Sequence, residues 1–146
     1  MNLFAKQLAF IDNFEKMLFT QLGQAISANH LVLKDYIIEK QLYDKGIDGN
    51  KARLPGYKRT TIRMKIAAGQ PADRTTLKDS GKFHASINIE AFADRFEISS
   101  NVSYDKYIIQ RYKKPVLKVT DENFKEFLNK FFLPKLKNYV NNKFAK

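Results

Sequence analysis

The first part of the chain carries apolar residues at helical spacing. They recur every three or four positions, the period that places side chains on one face of an α-helix. The residues on this face are Phe4, Leu8, Ile11, Phe14, Leu18, Leu22 and Ala25. Leu3, Phe10 and Met17 widen the face, which is then broad enough to contact more than one neighbour. The pattern predicts an N-terminal helix with a wide apolar side.

A second helix is predicted after a break at residues 27–30, whose sequence is Ser-Ala-Asn-His. The apolar positions beyond the break predict a helix that ends near Tyr43, with a strand over residues 31–38 as the alternative. These positions are Leu31, Val32, Leu33, Tyr36, Ile37, Ile38 and Leu42.

A loop is predicted next. Residues 44–50 concentrate Gly, Asp and Asn, which favour turns because they tolerate left-handed backbone. The loop continues to Tyr57. Thr60 is a candidate N-cap for a short helix from Thr61 to Ala68, which Gly69 would end.

The hydrophobic period changes to two at Phe83. Apolar residues at 83, 85, 87 and 89 alternate with polar ones, which predicts a half-buried strand that packs Phe83, Ile87 and Ile89 against the helices. Phe96 and Ile98 predict a second strand after a turn near residues 93–94, so the two form a hairpin. An extended piece at 115–119 could join the edge of this hairpin.

The C-terminal segment is predicted to be helical. Thr120 is a candidate N-cap, and Asp121 and Glu122 place negative charge in the first turn. Pro134 predicts a kink or break near Leu133. The apolar face consists of Phe124, Phe127, Leu128, Phe131, Leu136, Tyr139, Val140 and Phe144.

These elements together predict an α+β fold in one domain, residues 1–146. Its parts are N-terminal helices (1–43), a loop with a short helix (44–82), a β part (83–119) and a C-terminal helix (120–146). The length of 146 residues fits one domain, and a hydrophobic fraction of 44% supplies a core.

Composition excludes several classes of protein. The chain has no Cys, so disulfides, thiolate metal sites and cysteine nucleophiles are excluded. No apolar run reaches the 18 or more residues of a membrane span, and the first residues lack the pattern of a secretory signal. The sequence predicts a soluble intracellular or particle-associated domain.

The net charge of +11 is concentrated in two segments. Residues 51–82 hold 9 basic and 2 acidic residues, and residues 105–146 hold 11 and 4. The electrostatic field of these two basic segments attracts nucleic acid, an acidic protein surface or a membrane headgroup layer. The same charge distribution is also compatible with a soluble protein that has an ordinary lysine-rich surface. The candidate contacts for anions, DNA or an acidic partner are Lys58, Arg59, Arg63 and Lys65, and Arg111, Lys113 and Lys114.

The second of these groups follows three tyrosines, Tyr104, Tyr107 and Tyr112. Aromatic rings interleaved with cations can stack bases and follow phosphates. The alternative is that the tyrosines pack at the edge of the hairpin while the cations are solvated.

The sequence predicts neither catalysis nor a cofactor. His30 and His84 stand in unrelated contexts, and His84 falls on the polar face of the predicted strand, at the surface. HExxH, GxSxG, Walker A and GxGxxG motifs are missing from the sequence. Asp44, Asp48 and Asn50 do not have EF-hand spacing, so a turn is preferred to a calcium site.

Six segments follow one another in a recognisable order. They are Asp48-Gly49-Asn50, Leu54-Pro55-Gly56-Tyr57, Thr60 to Lys65, Leu77 to Ile87, Asn101 to Tyr104, and Pro115 to Glu122. This order, over roughly residues 37–145, resembles that of tailed-phage virion morphogenesis proteins, the tail-completion and head–tail joining group. Residues 77–87 are similar to the group's L-x-x-[ST]-G-x-L-R-x-S-I signature, with Phe83 and His84 in place of Leu-Arg.

The resemblance implies a structural virion protein of the head–tail connector, neck or tail-completion ring, without enzymatic activity. Its partners would be copies of itself in a ring, portal, connector or tail proteins, and non-specifically the packaged DNA, but no membrane. A basic nucleic-acid-binding module is the alternative, and a small nuclease a third option. The positions that match the group's motifs are Asp48, Gly49, Tyr57, Thr60, Lys65, Ser80, Gly81, Phe83, Ser86, Ile87, Tyr104 and Pro115.

Overall fold

The computed structural model describes residues 2–144, which form helices and an antiparallel hairpin, and this confirms the predicted α+β class. Helix α1 continues into a π-helical segment, as does α5. The bounds are α1 (Leu3–Asp35) with its π-helical continuation (Tyr36–Tyr43), α2 (Arg59–Ala67), α3 (Lys82–Ser86), β1 (Ile87–Ala91), β2 (Phe96–Ser100), α4 (Asp105–Tyr112), a 3₁₀ turn (Lys114–Leu117), α5 (Asp121–Phe127) with its π-helical continuation (Leu128–Phe132), and α6 (Leu133–Phe144).

Helix α1 confirms the predicted N-terminal helix and runs through the predicted break. The break is a kink at Asn29, whose φ and ψ are −127° and 24°. The Asn29 side chain donates a hydrogen bond of 3.0 Å to the carbonyl of Ala25 one turn earlier, so the chain bends without leaving the helix. Residues 31–38 are helical, and the alternative of a strand there is wrong. The helical stretch ends at Tyr43, as predicted.

The hairpin confirms the predicted pairing but begins later than predicted. Ile89 lies opposite Ile98, and the turn closes with a hydrogen bond of 2.7 Å from the Phe92 amide to the Arg95 carbonyl. Phe83 does not begin a strand, because residues 82–86 form α3 after Gly81 turns the chain at a φ of +83°. A helical turn buries the adjacent side chains of Phe83 and His84 together, whereas a strand would point them to opposite faces.

Two local predictions are also wrong, and one helix was not predicted. Thr60 does not cap α2, since the helix begins at Arg59 and Lys58 is at the N-cap. Residues 115–119 do not extend the sheet, because Lys114–Leu117 forms a 3₁₀ turn that buries Val116. Within residues 2–144, the sheet has two strands. Helix α4 was not predicted, and none of its residues is fully buried.

The C-terminal helices agree with the prediction. The Thr120 side chain caps α5 by accepting a hydrogen bond of 3.3 Å from the Asn123 amide, and Asp121 and Glu122 lie in the first turn. The helical geometry changes to a π-helix at residues 128–132, immediately before the turn that contains Pro134. The missing N–H of a proline favours such a local change.

The core lies between α1, the hairpin and α5. Helix α1 packs against β1, and Phe127 of α5 is fully buried in the same core. A buried amide, Gln41, joins the elements: it donates to the Lys118 carbonyl at 2.9 Å and accepts from the Thr120 amide at 2.8 Å. The fully buried or nearly buried apolar residues include Ile26, Leu33, Ile37, Leu42, Phe83, Ile87, Ile89, Val116, Val119 and Phe127.

Gly49 is expected to tolerate no side chain. Its amide donates a hydrogen bond of 2.8 Å to the Pro115 carbonyl, and a Cβ would lie 2.3 Å from the Lys118 carbonyl oxygen. We expect Gly49→Ala to lower the free energy of unfolding in urea by about 1–3 kcal/mol, because the two segments must separate. Gly56→Ala is the control, since a Cβ there meets nothing within 4 Å. Equal stabilities of the two variants would contradict this close packing.

Candidate docking surfaces

The motif positions separate into distinct places, and the first is the loop after α1. Asp48 is buried, and its Oδ1 accepts hydrogen bonds from the amides of Asn50 (2.8 Å) and Ala52 (2.9 Å). Gly49 and Pro115 are joined by the hydrogen bond described above. These contacts confirm the predicted turn, since this carboxylate oxygen binds the loop's own backbone.

The second place is the start of the hairpin. The Ser86 hydroxyl lies 2.7 Å from that of Ser100 on the facing strand, and Ile87 is buried in the core. Thr60 stands apart from both places, exposed on α2. Ser86 and Ile87 therefore have structural roles, whereas the contacts reveal no role for Thr60.

The third place is a groove of about 390 Å³ beside α2, and it brings together half of the motif positions. Four segments form its walls: the loop before α2, α2 itself, residues 77–83, and α4 with the residue that precedes it. The motif positions that line it are Tyr57, Lys65, Ser80, Gly81, Phe83 and Tyr104. The Tyr57 hydroxyl accepts a hydrogen bond of 2.9 Å from the Thr76 amide, which fixes the ring in the wall.

Lys65 is buried, with an exposed fraction of 6%, and is therefore not the free surface cation that the sequence suggests. Its Nζ donates to Gln70 Oε1 at 2.6 Å and to the carbonyl of Lys78. The Tyr57 ring centroid lies 5.4 Å from the same nitrogen. Local sequence could not reveal this burial, because Tyr57 and Lys78 come from loops on either side of the helix.

The other candidate cations are exposed. Lys58, Arg59 and Arg63 lie on or next to α2, and Arg111 and Lys113 lie at the end of α4. The side chain of Lys114 lies outside the part of the chain that the structure describes. The Arg111 guanidinium is 5.4 Å from the Tyr112 ring, which packs against the core, whereas Tyr104 and Tyr107 are exposed. The tyrosines lie on or next to α4, and Tyr104 lines the groove together with Lys65 of α2.

His84 is buried and not at the surface, with an exposed fraction of 5%. Its Nε2–H donates a hydrogen bond of 2.8 Å to the Thr76 carbonyl, and Nδ1 has no partner among the described residues. Burial lowers the pKa of His84, and the bond to the carbonyl opposes this effect. No group of three or more His, Cys, Asp or Glu side chains within residues 2–144 is arranged to hold a metal ion.

The stability of the fold is expected to fall in mild acid because of His84. Its pKa is lower in the folded chain than the ordinary 6.5, so below about pH 6.5 the unfolded chain binds a proton that the folded chain does not. The free energy of unfolding should then decrease by up to about 1.4 kcal/mol per pH unit. Urea titrations between pH 7 and pH 5 test this, with His84→Gln expected to flatten the profile. Identical profiles for wild type and His84→Gln would contradict it.

Glu126 is the centre of a charged cluster that joins the π-helical continuation of α1 to α5. Its carboxylate accepts hydrogen bonds from Lys130 Nζ (2.6 Å), Lys40 Nζ (2.9 Å) and the Tyr36 hydroxyl (3.0 Å). These donors, in that order, lower the pKa of Glu126 to about 2. Burial raises the pKa of Tyr36, and its bond to Glu126 adds to the effect. The cluster links two helical stretches and keeps Glu126 ionised to a lower pH than an ordinary glutamate.

Within residues 2–144, the first half of α1 carries an extensive series of exposed apolar side chains. We call residues 3–19 the arm. Several of its apolar side chains, between 39% and 72% exposed, lie on one side of the helix: Leu3, Phe4, Leu8, Phe10, Ile11, Phe14 and Phe19. The same side of α1 is buried in the core further along, at Ala25, Ile26 and Leu33. The predicted wide apolar face is therefore one continuous stripe whose second half is covered.

Helix α6 covers part of the arm. Tyr139 and Phe144 share a cavity of about 200 Å³ with Phe10, Phe14 and Met17. The rings of Phe10 and Phe14 stack on each other with centroids 6.3 Å apart. Phe10 nevertheless stays 66% exposed, so most of this surface has no cover within the described chain.

Within residues 2–144, no helix combines the length and the apolar character that crossing a membrane requires. Comparisons of the chain with protein-family models, with curated proteins and with solved structures gave no match.

Proposed function

We propose that this chain is a structural virion protein of a tailed phage, part of the head–tail connector, neck or tail-completion ring. The order of the six motif segments supports the assignment to the phage group. The exposed apolar surface of the arm supports a role in protein–protein contact, and it is the observation that carries the proposal. The chain would act in the virion by joining copies of itself and neighbouring portal, connector or tail proteins, without a catalytic site or cofactor.

The size of the exposed surface on the arm favours an interface. A whole phenylalanine side chain has a surface of about 200 Å². By this measure the exposed fractions of the four phenylalanines of the arm, Phe4, Phe10, Phe14 and Phe19, add up to roughly 400 Å². Leu3, Leu8 and Ile11 add to this area. One side of a typical protein interface buries about 800 Å², slightly more than half of it apolar. The arm thus presents the apolar area that one side of a stable interface needs, as a single patch.

A second copy of the chain is the occupant that we propose for the arm. The arm carries Lys6 and Lys16 together with Asp12 and Glu15, so it has no net charge and two copies do not repel each other. A strongly basic body would otherwise oppose self-association. When the arm of one copy packs against a different surface of the next copy, the contact is head-to-tail, and its repetition around an axis can close a ring, the form expected of a neck component.

Light scattering and negative-stain microscopy on the purified chain test this proposal. We expect a mass that is a multiple of 17.0 kDa and ring-shaped particles. A mass of 17.0 kDa at every protein concentration, with no particles, would contradict assembly through the arm.

A basic nucleic-acid-binding module is the second candidate function, and the exposed cations of α2 and α4 favour it. It requires an affinity for DNA that falls steeply as salt increases, because bound phosphates release counterions. Neutralising Arg111, Lys113 and Lys114 together should then reduce the affinity by at least tenfold. Absence of a DNA complex at low salt would eliminate this candidate and leave the structural one unaffected.

A further inference from the structure

The groove beside α2 has a buried positive charge in its wall. The ammonium of Lys65 has three N–H donors, two of which go to neutral acceptors, Gln70 Oε1 and the Lys78 carbonyl. No carboxylate of the described chain forms an ion pair with it. A buried charge without a counter-ion is unfavourable, so a carboxylate brought into the groove would be bound favourably.

The rest of the wall is largely apolar. Met64 is 69% exposed and Tyr104 38% exposed, and both face the same space as Tyr57, Leu77 and Ile108. The volume of about 390 Å³ lies in the range of ligand sites and is large enough for one or two side chains. Exposed apolar walls around a charged group suit an occupant that carries both an apolar side chain and an anion.

The charges near the groove favour an acidic occupant. Lys65 and Lys78 line it together with one carboxylate, Asp79. Lys58 stands at the N-cap of α2, one turn before Thr61, which also lines the groove. The surrounding segment, residues 51–82, holds 9 basic and 2 acidic residues, so an approaching acidic chain is attracted over a longer range.

We infer that this groove binds an acidic segment of a partner protein, with a large apolar side chain of that segment beside Met64 and Tyr104 and an adjacent carboxylate paired with Lys65. The inference rests on the proposed function, since it gives a docking protein a second docking site. The groove and the arm lie on different elements. Loss of assembly and loss of peptide binding can therefore be observed separately.

Selection from a random dodecapeptide library displayed on particles tests the inference on the full chain. The enriched peptides are expected to be acidic and to carry an aromatic or large aliphatic residue next to Asp or Glu. Failure to enrich any peptide, or enrichment of neutral or basic ones, would overturn the inference.

Two matched variants then locate the site. Met64 and Ile66 lie on the same helix and are 69% and 66% exposed, but Met64 lines the groove and Ile66 does not. Met64→Asp should weaken binding of the enriched peptide at least tenfold, and Ile66→Asp by less than twofold. Equal binding to both variants, or displacement of the peptide by a twelve-nucleotide DNA strand, would overturn the inference. The second result would assign the groove to nucleic acid.

Discussion

Replacing Phe10 and Phe14 by Asp is expected to convert the assembled protein into a monomer of 17.0 kDa. The two rings stack on each other in the middle of the arm and are 66% and 46% exposed. In a contact between copies, each carboxylate would be buried without a partner, which is far more unfavourable than the loss of the apolar contact alone. Residues at the centre of an interface dominate its affinity, so we expect the dissociation constant to rise by more than a hundredfold. Sedimentation velocity measures this change.

A matched control separates this effect from a general effect of added charge. Ile66→Asp changes an equally exposed apolar residue, 66% exposed, on α2 and away from the arm. It should leave the assembly unchanged. Circular dichroism should show that all variants remain helical, since neither Phe10 nor Phe14 belongs to the core. Dissociation of the Ile66→Asp variant as well, or an unchanged mass of the double variant, would exclude the arm as the specific contact.

Phe127→Ala is expected to have the largest effect on stability. Its ring is fully buried, and its centroid lies 5.1 Å from that of Phe131 and 6.3 Å from that of Phe124. Removal of a buried phenylalanine ring leaves a cavity and costs about 3–5 kcal/mol. Since domains of this kind are stable by about 5–15 kcal/mol, we expect the variant to lose a large share of its stability and to unfold at a much lower urea concentration.

The measurement for Phe127→Ala is urea unfolding, made in the Phe10→Asp, Phe14→Asp background so that assembly does not contribute to stability. Phe144→Ala is the control, because Phe144 is 65% exposed. It should change the free energy of unfolding by less than about 0.5 kcal/mol. A loss below about 1 kcal/mol for Phe127→Ala would mean that the core is not packed around this ring.

The elements that could be predicted from the sequence are those that local patterns determine. The apolar stripe of α1 and the Thr120 cap of α5 depend on spacings within one or two turns of helix. The pairing of β1 with β2 likewise follows from alternation and a short turn. These features require no knowledge of what lies against them.

The wrong predictions concern an element too short to show a period and side chains whose burial depends on neighbouring loops. The alternation at residues 83–89 is compatible with a strand, and a five-residue helix such as α3 is too short to show its own period. His84 is buried because the Thr76 carbonyl, from the preceding loop, accepts its hydrogen bond. Lys65 is buried because Tyr57, Gln70 and Lys78 enclose it. The groove could not be predicted, since its residues come from four separate segments.

Protection of the arm in the assembled protein tests the central claim most directly. The chain has no cysteine, so Gln7→Cys introduces a unique thiol on the arm, and Ser103→Cys introduces one at an exposed position elsewhere. Gln7 lies one turn from Phe4, Phe10 and Ile11, on the apolar side of the helix. We expect a maleimide to label the thiol at position 7 at least tenfold more slowly in the assembled chain than in the Phe10→Asp, Phe14→Asp background, and the thiol at position 103 equally fast in both. Equal labelling rates at position 7 in the two backgrounds would contradict the claim that the arm is an interface between copies.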